Sequence, residues 1–280
     1  MRVSVVTPSF NMKNYLRPTI ESVLANLLPG DEYFIVDGGS GDGSTELIRT
    51  YANRLTGWLS EPDRCYAEAL AKGFARTSAE IMCWINTGDL LLSGALQTAR
   101  RALESTRAEL IFGDDFYIDE AGRVLGFSRG YVSSLRDIML YGGWTPLQDA
   151  CFWRRDLYDR VGGLDRNLRY AADYDLFLRM ALAGTCTYVP ETFSAFRRHP
   201  GQKSIANSRE YGAEREKVRK RELARLPERL PRKKIRVAWH MSAVRWRVHV
   251  SQRIWQRDDL IGRPVGELAS ARYWPAASRP

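Results

Sequence analysis

Short apolar, β-rich runs alternate with stretches of helical period through the N-terminal part of this chain. Nearly every run ends in a polar cluster that holds a carboxylate. Val3–Ser9 is followed by apolar residues at Leu16, Ile20, Val23, Leu24 and Leu27, a helical spacing over Leu16–Leu27. Tyr33–Val36 precedes a helix that starts with Ser44 as its cap and runs through Tyr51. Leu55–Leu59 precedes a helix over Ala67–Ala75, and Ile81–Ile85 precedes one from Ser93 to about Ser105. Strand and helix alternating at this spacing predict an α/β domain built on a mostly parallel sheet with right-handed crossovers. After Leu110–Phe112 the pattern becomes short strands and Gly-containing turns to about Gly143. A helix over Asp173–Leu182 and a strand over Cys186–Phe196 follow.

Parallel sheets bind ligands beyond the carboxyl ends of their strands. Four clusters fall at such ends: Thr7–Asn11, Asp37–Ser44, Ser60–Arg64 and Asn86–Asp89. The glycines of the second cluster follow the second strand rather than the first, which argues against a dinucleotide fingerprint. No G-K-[ST] forms a phosphate loop. A helix-capping acid is the ordinary role of Asp89 alone. A carboxylate at a strand end is also how a hard divalent ion is held against substrate phosphates, because such ions take one or two protein carboxylates and keep waters.

The charge is divided along the chain. The whole protein carries +9, but Arg197–Arg257 holds 19 Lys and Arg against 5 Glu, a net of +14. The remaining 23 basic and 28 acidic residues leave the body at −5. A boundary near Phe196 is therefore expected. Cys65, Cys83, Cys151 and Cys186 form no CxxC pair, so reduced thiols are expected rather than disulfides or zinc. The start of the chain has no signal-peptide pattern, and no apolar run approaches the roughly 18 residues of a membrane span.

The ordered blocks Val3–Asn11, Ile35–Ser44 (IVDGGSGDGS), Ser60–Gly73 (SEPDRCYAEALAKG), Trp84–Asp89 (WINTGD), Gly113-Asp114, Gln148–Phe152 and Ala171–Arg179 (AADYDLFLR) resemble the inverting family 2 glycosyltransferases of GT-A fold. His199-Pro200-Gly201 with Ser204 matches a further block. The branch most resembled acts in bacterial surface polysaccharide and O-antigen assembly. The resemblance implies a GT-A-type, Rossmann-like α/β sheet flanked by helices over residues 1–205. A nucleotide-sugar half would run to about 113 and an acceptor half over 114–205, followed by a basic helical extension over 206–280.

It also implies roles. Thr7, Pro8 and Phe10 would line the base pocket, with Asp37 accepting from the base. Asp63 and Arg64 would lie beside the nucleoside, and Asn86 on the donor. Lys72 would face a phosphate or remain a solvated helix residue. Asp89, with His199, would hold Mn²⁺ or Mg²⁺ on the diphosphate. Asp114 and Gln148 would be acceptor-side or sugar-side contacts. Asp173 matches the general base, which takes the acceptor hydroxyl proton, and Asp175 is left as the partner of Arg179. Asn86, Thr87 and Gly88 stand where the family usually has further acids.

The expected reaction is hexosyl transfer from a UDP-sugar to a glycan or lipid-linked glycan. The expected setting is the cytoplasm, peripheral on the inner membrane, with a homo-oligomer allowed and no nucleic acid partner. Glu214–Arg225 reads as a solvated charged helix. Trp239, Trp246 and Trp255, interleaved with Arg236, Arg245, Arg247 and Arg253, suit either an interfacial helix on anionic lipid or a stripe packed on the body. Two other classes compete: a nucleotidyltransferase, whose Gly-rich loop after the first strand is replaced by Pro8-Ser9-Phe10, and a non-catalytic binding protein.

Overall fold

The computed structural model describes residues 1–130, 134–142, 145–199, 207–226 and 259–271. The Pro200–Ser204 part of the His199 block, Trp239, Trp246, Trp255 and the arginines between them lie outside the described residues.

The α/β class expected from the alternation is the one observed. In chain order the elements are β1 (Val3–Ser9), α1 (Lys13–Leu24), β2 (Glu32–Asp37), α2 (Ser44–Thr50), β3 (Gly57–Ser60), α3 (Tyr66–Phe74), β4 (Ile81–Trp84), β5 (Leu90–Leu91) and α4 (Ala95–Ser105). They continue with β6 (Leu110–Ile118), β7 (Val124–Ser128), the single turn α5 (Leu135–Asp137), β8 (Cys151–Arg154), α6 (Arg155–Arg160), α7 (Ala172–Ala183) and β9 (Cys186–Arg197). A last helix, α8, spans Ser208–Arg225.

One sheet runs in the order β3-β2-β1-β4-β8-β6-β9-β5, with β7 paired to β6. β3, β2, β1 and β4 are mutually parallel. β8 is antiparallel to both β4 and β6, while β6 and β9 run parallel again. The order turns at β1, with β2 on one side and β4 on the other, and the clusters after these strands lie at carboxyl ends, where a parallel sheet binds ligands.

Element edges differ from the sequence expectation for local reasons. α1 begins at Lys13 rather than Leu16 and contains Pro18 in its second turn. Ser44 is the first helical residue of α2, not its cap. Gly43, with φ +87, makes the entry, and Asp42 accepts from the Ser44 N–H at 3.0 Å. Strand β6 continues past Phe112 into a hairpin with β7 whose turn uses Gly122 at φ +79. β8 and β5 are strands without a sequence signal of their own.

The main core lies between the sheet and its helices. Trp84 stacks on Phe177 with ring centroids 5.7 Å apart, and Trp153 meets Trp84 edge-on at 5.3 Å. α3 lies so close to β1 that a Cβ on Gly73 would sit 2.5 Å from Val6 Cγ1. A second core joins Phe116, Ile118, Val124 and Ala195 to Leu260, Val265 and Leu268 of the C-terminal segment. That segment is tied by backbone bonds from Thr192 N–H to Ala271 O at 3.0 Å and from Ser270 N–H to Ser93 O at 2.7 Å.

The α8 helix corrects an expectation. It is not merely solvated: Val218 is buried, Glu222 is 4% exposed, and the helix packs on α7. Among the described residues no helix is long and apolar enough to cross a membrane.

Candidate active site

The loop after β2 is shaped by Asp37, which is fully buried. Its Oδ2 accepts the backbone N–H groups of Gly39 at 3.1 Å and Ser40 at 2.9 Å, and the Ser60 hydroxyl at 2.6 Å. Its Oδ1 accepts the Ser40 hydroxyl at 2.5 Å. Asp37 thus braces the loop after β2 and ties it to the end of β3. Asn11, at φ +50, clasps the same loop by accepting from Gly41 N–H at 3.0 Å. Thr7 is likewise below the surface, bonded to the Tyr33 hydroxyl at 3.0 Å. Pro8 is partly buried, and its carbonyl accepts the Thr87 hydroxyl at 3.0 Å, tying β1 to the turn after β4.

Phe10 presents an open aromatic face, being 53% exposed. Beside it stands Gly38, where an added Cβ would meet Phe10 Cδ2 at 3.2 Å and Asp63 Oδ2 at 3.5 Å. That Asp63 oxygen is buried and has no hydrogen-bond partner among the described residues. Burial raises the Asp63 carboxyl above its ordinary value, although Lys72 donates to Oδ1 at 2.5 Å. Lys72 is bracketed by Asp63 and by Glu61 at 2.9 Å and braces these acids. Arg64 is largely exposed and pairs with Glu68 at 2.9 Å.

The turn after β4 carries Asn86 and Asp89. Gly88 adopts φ +113, a conformation that an L side chain rarely takes, and donates its N–H to Thr19 Oγ1 at 3.0 Å. Asp89, 4% exposed, accepts the Arg197 backbone N–H on Oδ1 at 3.0 Å and only a long contact from Asn86 Nδ2, 3.4 Å, on Oδ2. Burial and the negative charge of Asp149 push its carboxyl well above the ordinary range. Asp115 is raised by the same causes, and burial pushes Asp149 up to about 7. Arg197 donates from Nε to Gly88 O at 2.8 Å and lies over the Tyr15 ring, which meets the His199 ring at a tilt with centroids 5.2 Å apart. His199 thus stands beside the same arginine as Asp89. Burial lowers its imidazole below the usual value. Among the described residues no three His, Cys, Asp or Glu side chains converge as a cation-holding group.

Asp114 accepts from Gly130 N–H at 2.9 Å and from the Tyr188 hydroxyl at 2.8 Å, and burial lifts its carboxyl to about 6. Gln148, 9% exposed, has no partner for its side-chain amide among the described residues.

Asp173 is the second residue of α7 and is half-buried. Its backbone N–H donates to the Tyr66 hydroxyl at 3.1 Å, and that hydroxyl donates to Tyr170 O at 3.1 Å. Asp173 Oδ1 accepts the Tyr174 N–H at 2.7 Å, while Oδ2 has no hydrogen bond from a described residue. Burial pushes the carboxyl up to about 6. Asp175, fully buried, pairs with Arg179, as the sequence spacing implied, and also with Arg221 of α8. The two acids thus have different partners.

Sequence reasoning missed Tyr66, Arg197, Asp115 and Asp149. Asp149 and Tyr66 lie inside motif blocks that drew attention to their neighbours instead.

The family model described as glycosyl transferase family 2 matches residues 4–200. An uncharacterized glycosyltransferase of Mycobacterium tuberculosis strain H37Rv is 31% identical over 186 residues, covering 64% of this chain and 69% of that protein. An uncharacterized glycosyltransferase of Rickettsia typhi is 24% identical over 207 residues, 71% of this chain and 65% of its own length, just under two thirds. Among solved structures, residues 1–349 of S. aureus TarS in complex with UDP-GlcNAc align with a TM-score of 0.58 at 16% identity, over 72% of this chain and 60% of that one. The mannosyltransferase PcManGT of Pyrobaculum calidifontis, in complex with GDP-Man and Mn²⁺, aligns with a TM-score of 0.60 at 17% identity, over 81% and 65%.

Proposed function

The chain belongs to glycosyl transferase family 2 and has the GT-A fold, and from that footing we propose that it transfers a hexosyl group from a UDP-sugar to a hydroxyl acceptor with inversion. The observation that carries the reading is the placement of Asp173. An inverting transfer needs one carboxylate on the acceptor side, able to take a proton as the hydroxyl oxygen attacks the anomeric carbon. Asp173 has one oxygen held by its own helix and the other without a partner among the described residues, and its carboxyl is lifted to about 6, close to neutral working conditions.

On the donor side, Phe10 offers a stacking face and Asp63 Oδ2 an unpartnered acceptor beside Gly38, which suits a base with a ring N–H such as uracil. The UDP-GlcNAc and GDP-Man bound to TarS and PcManGT support a nucleotide-diphospho-sugar as the donor class. Asp37 and Thr7 support this pocket from beneath, and Arg64 lies at its rim. Gln148 and Asp114 serve the sugar or acceptor.

Asp89 fits a divalent ion: a hard cation asks for one or two protein carboxylates, and Asp89 Oδ2 has only the 3.4 Å contact to give up. Asp89, with His199 as a second ligand, would hold Mn²⁺ or Mg²⁺. When bound, such an ion neutralises charge growing on the departing diphosphate. The carboxyl must lose its proton to serve, so ion binding and deprotonation of Asp89 go together.

The acceptor is a glycan or lipid-linked glycan of surface polysaccharide or O-antigen assembly, reached at the cytoplasmic face of the inner membrane, where the basic residues after Phe196 suit an anionic surface. A thermal-shift screen of nucleotide sugars with and without Mn²⁺, followed by a donor-hydrolysis assay, tests the reading. A UDP-sugar should raise the melting temperature more with Mn²⁺ than without, and be hydrolysed slowly. No stabilisation by any nucleotide sugar, in either condition, would overturn it.

A further inference from the structure

Helix α8 lies beyond the residues matched by the family model, yet it reaches the loop that delivers Asp173. Glu214 accepts three successive backbone N–H groups: Arg169 on Oε1 at 3.1 Å, and Tyr170 and Ala171 on Oε2 at 2.8 and 2.9 Å. Successive N–H groups form a concavity that favours an anion, and here the anion is built into the chain. The same loop is held from its other side by Tyr66, which donates to Tyr170 O and accepts from Asp173 N–H. Two residues further along α7, Asp175 anchors Arg221, also from α8. Asp173 therefore sits on a turn clamped between α3 and α8.

We infer that Glu214 is a positioning residue for the base Asp173, and that α8 is a working part of the catalytic unit. This rests on the reading of Asp173 as the base. Glu214 fixes the turn, and its negative charge occupies the positive end of α7 that would otherwise favour the ionised form of Asp173. The other groups facing Asp173 are Tyr66 from α3, Tyr211 from α8 and Cys151 from β8, while Arg215 and Arg219 of α8 face the adjacent Tyr174. Removing Glu214 frees the N–H groups, loosens the turn and makes Asp173 a weaker base.

The experiment compares Glu214→Ala, Glu214→Gln and Asp173→Asn in the full chain, reading the donor dissociation constant, kcat, donor KM and the pH profile of kcat. Glu214→Ala should bind donor as the parent does and lose about 10- to 100-fold in kcat, the scale of a small misplacement of a reacting group. The acidic limb of its profile should move to lower pH. Glu214→Gln, which keeps one acceptor oxygen and loses the charge, should fall between. A folded Glu214→Ala whose kcat and acidic limb match the parent overturns the positioning role. If Glu214→Ala does not fold, Glu214→Gln decides: kcat within about twofold of the parent with an unmoved limb overturns it. An active Asp173→Asn overturns the base assignment instead, so the two failures are distinguishable.

Discussion

Asp89 accepts the backbone N–H of Arg197 at 3.0 Å, which fastens the turn after β4 to the end of β9. One carboxylate thus ties these two elements together, and under the proposed function it would also hold the donor's metal. These roles separate by substitution. Asp89→Asn keeps an acceptor for Arg197 and should leave the melting temperature near the parent's, yet lower donor affinity in Mn²⁺ by about tenfold or more, an order of magnitude for a lost charged contact. Asp89→Ala should lose both. Titration calorimetry with a UDP-sugar, with and without Mn²⁺, reads the difference; donor affinity in Asp89→Asn equal to the parent's would remove the metal role.

Asp173→Asn should abolish transfer while binding donor normally. In the parent, kcat should rise with pH through about 6, because the base works only when deprotonated. A rate independent of pH between 5 and 7.5 counts against the assignment (these two values bracket the expected transition by about 1 to 1.5 units).

Asp175 is fully buried between Arg179 and Arg221. Asp175→Ala leaves both guanidiniums without that carboxylate and should cost about 3–5 kcal/mol by denaturant unfolding. Arg221→Ala leaves Asp175 paired with Arg179 and should cost clearly less. An Arg221→Ala variant as stable as the parent would show that α8 contributes nothing through this pair.

Stability should depend on pH through the buried acids. Asp149, Asp114 and Asp173 have folded values near 7, 6 and 6, above the unfolded carboxylate near 3.8. Groups raised in this way stabilise the fold when protonated, fully below about pH 4, and that stability is lost as pH rises through 6 to 7. Asp149→Asn should flatten the decline and raise the melting temperature at neutral pH. Scanning calorimetry across pH 4.5 to 8, roughly the interval over which these groups ionise, checks both the slope and its loss.

The parallel half of the sheet was legible because β1, β2 and β4 are apolar runs set between helical periods. β8 was not: four residues paired antiparallel on both sides carry no alternation, and only long-range pairing makes them a strand. Asp37 shows the limit at a site. A strand-end carboxylate can be read from sequence, but not where its lone pairs go, and here Gly39, Ser40 and Ser60 take them. The burial of α8 was not legible because the helix has no apolar stripe. Its polar contacts with the body run through Glu214 and Arg221, whose α7-side partners lie some 45 positions upstream.

The second core has a topological consequence. Because α8 packs on α7 and Leu260, Val265 and Leu268 return to Phe116 and Val124, the tryptophan-bearing residues 227–258 are leashed to the body at both ends. Under the proposal that they meet an anionic surface, that surface would be met at a high local concentration relative to the candidate active site, as with any tethered binder. Truncating the chain after α8 would therefore strip the second core of its aliphatic anchors as well as removing the basic residues. Excising 227–258 and joining its flanks with a flexible spacer is the cut that separates tethering from folding.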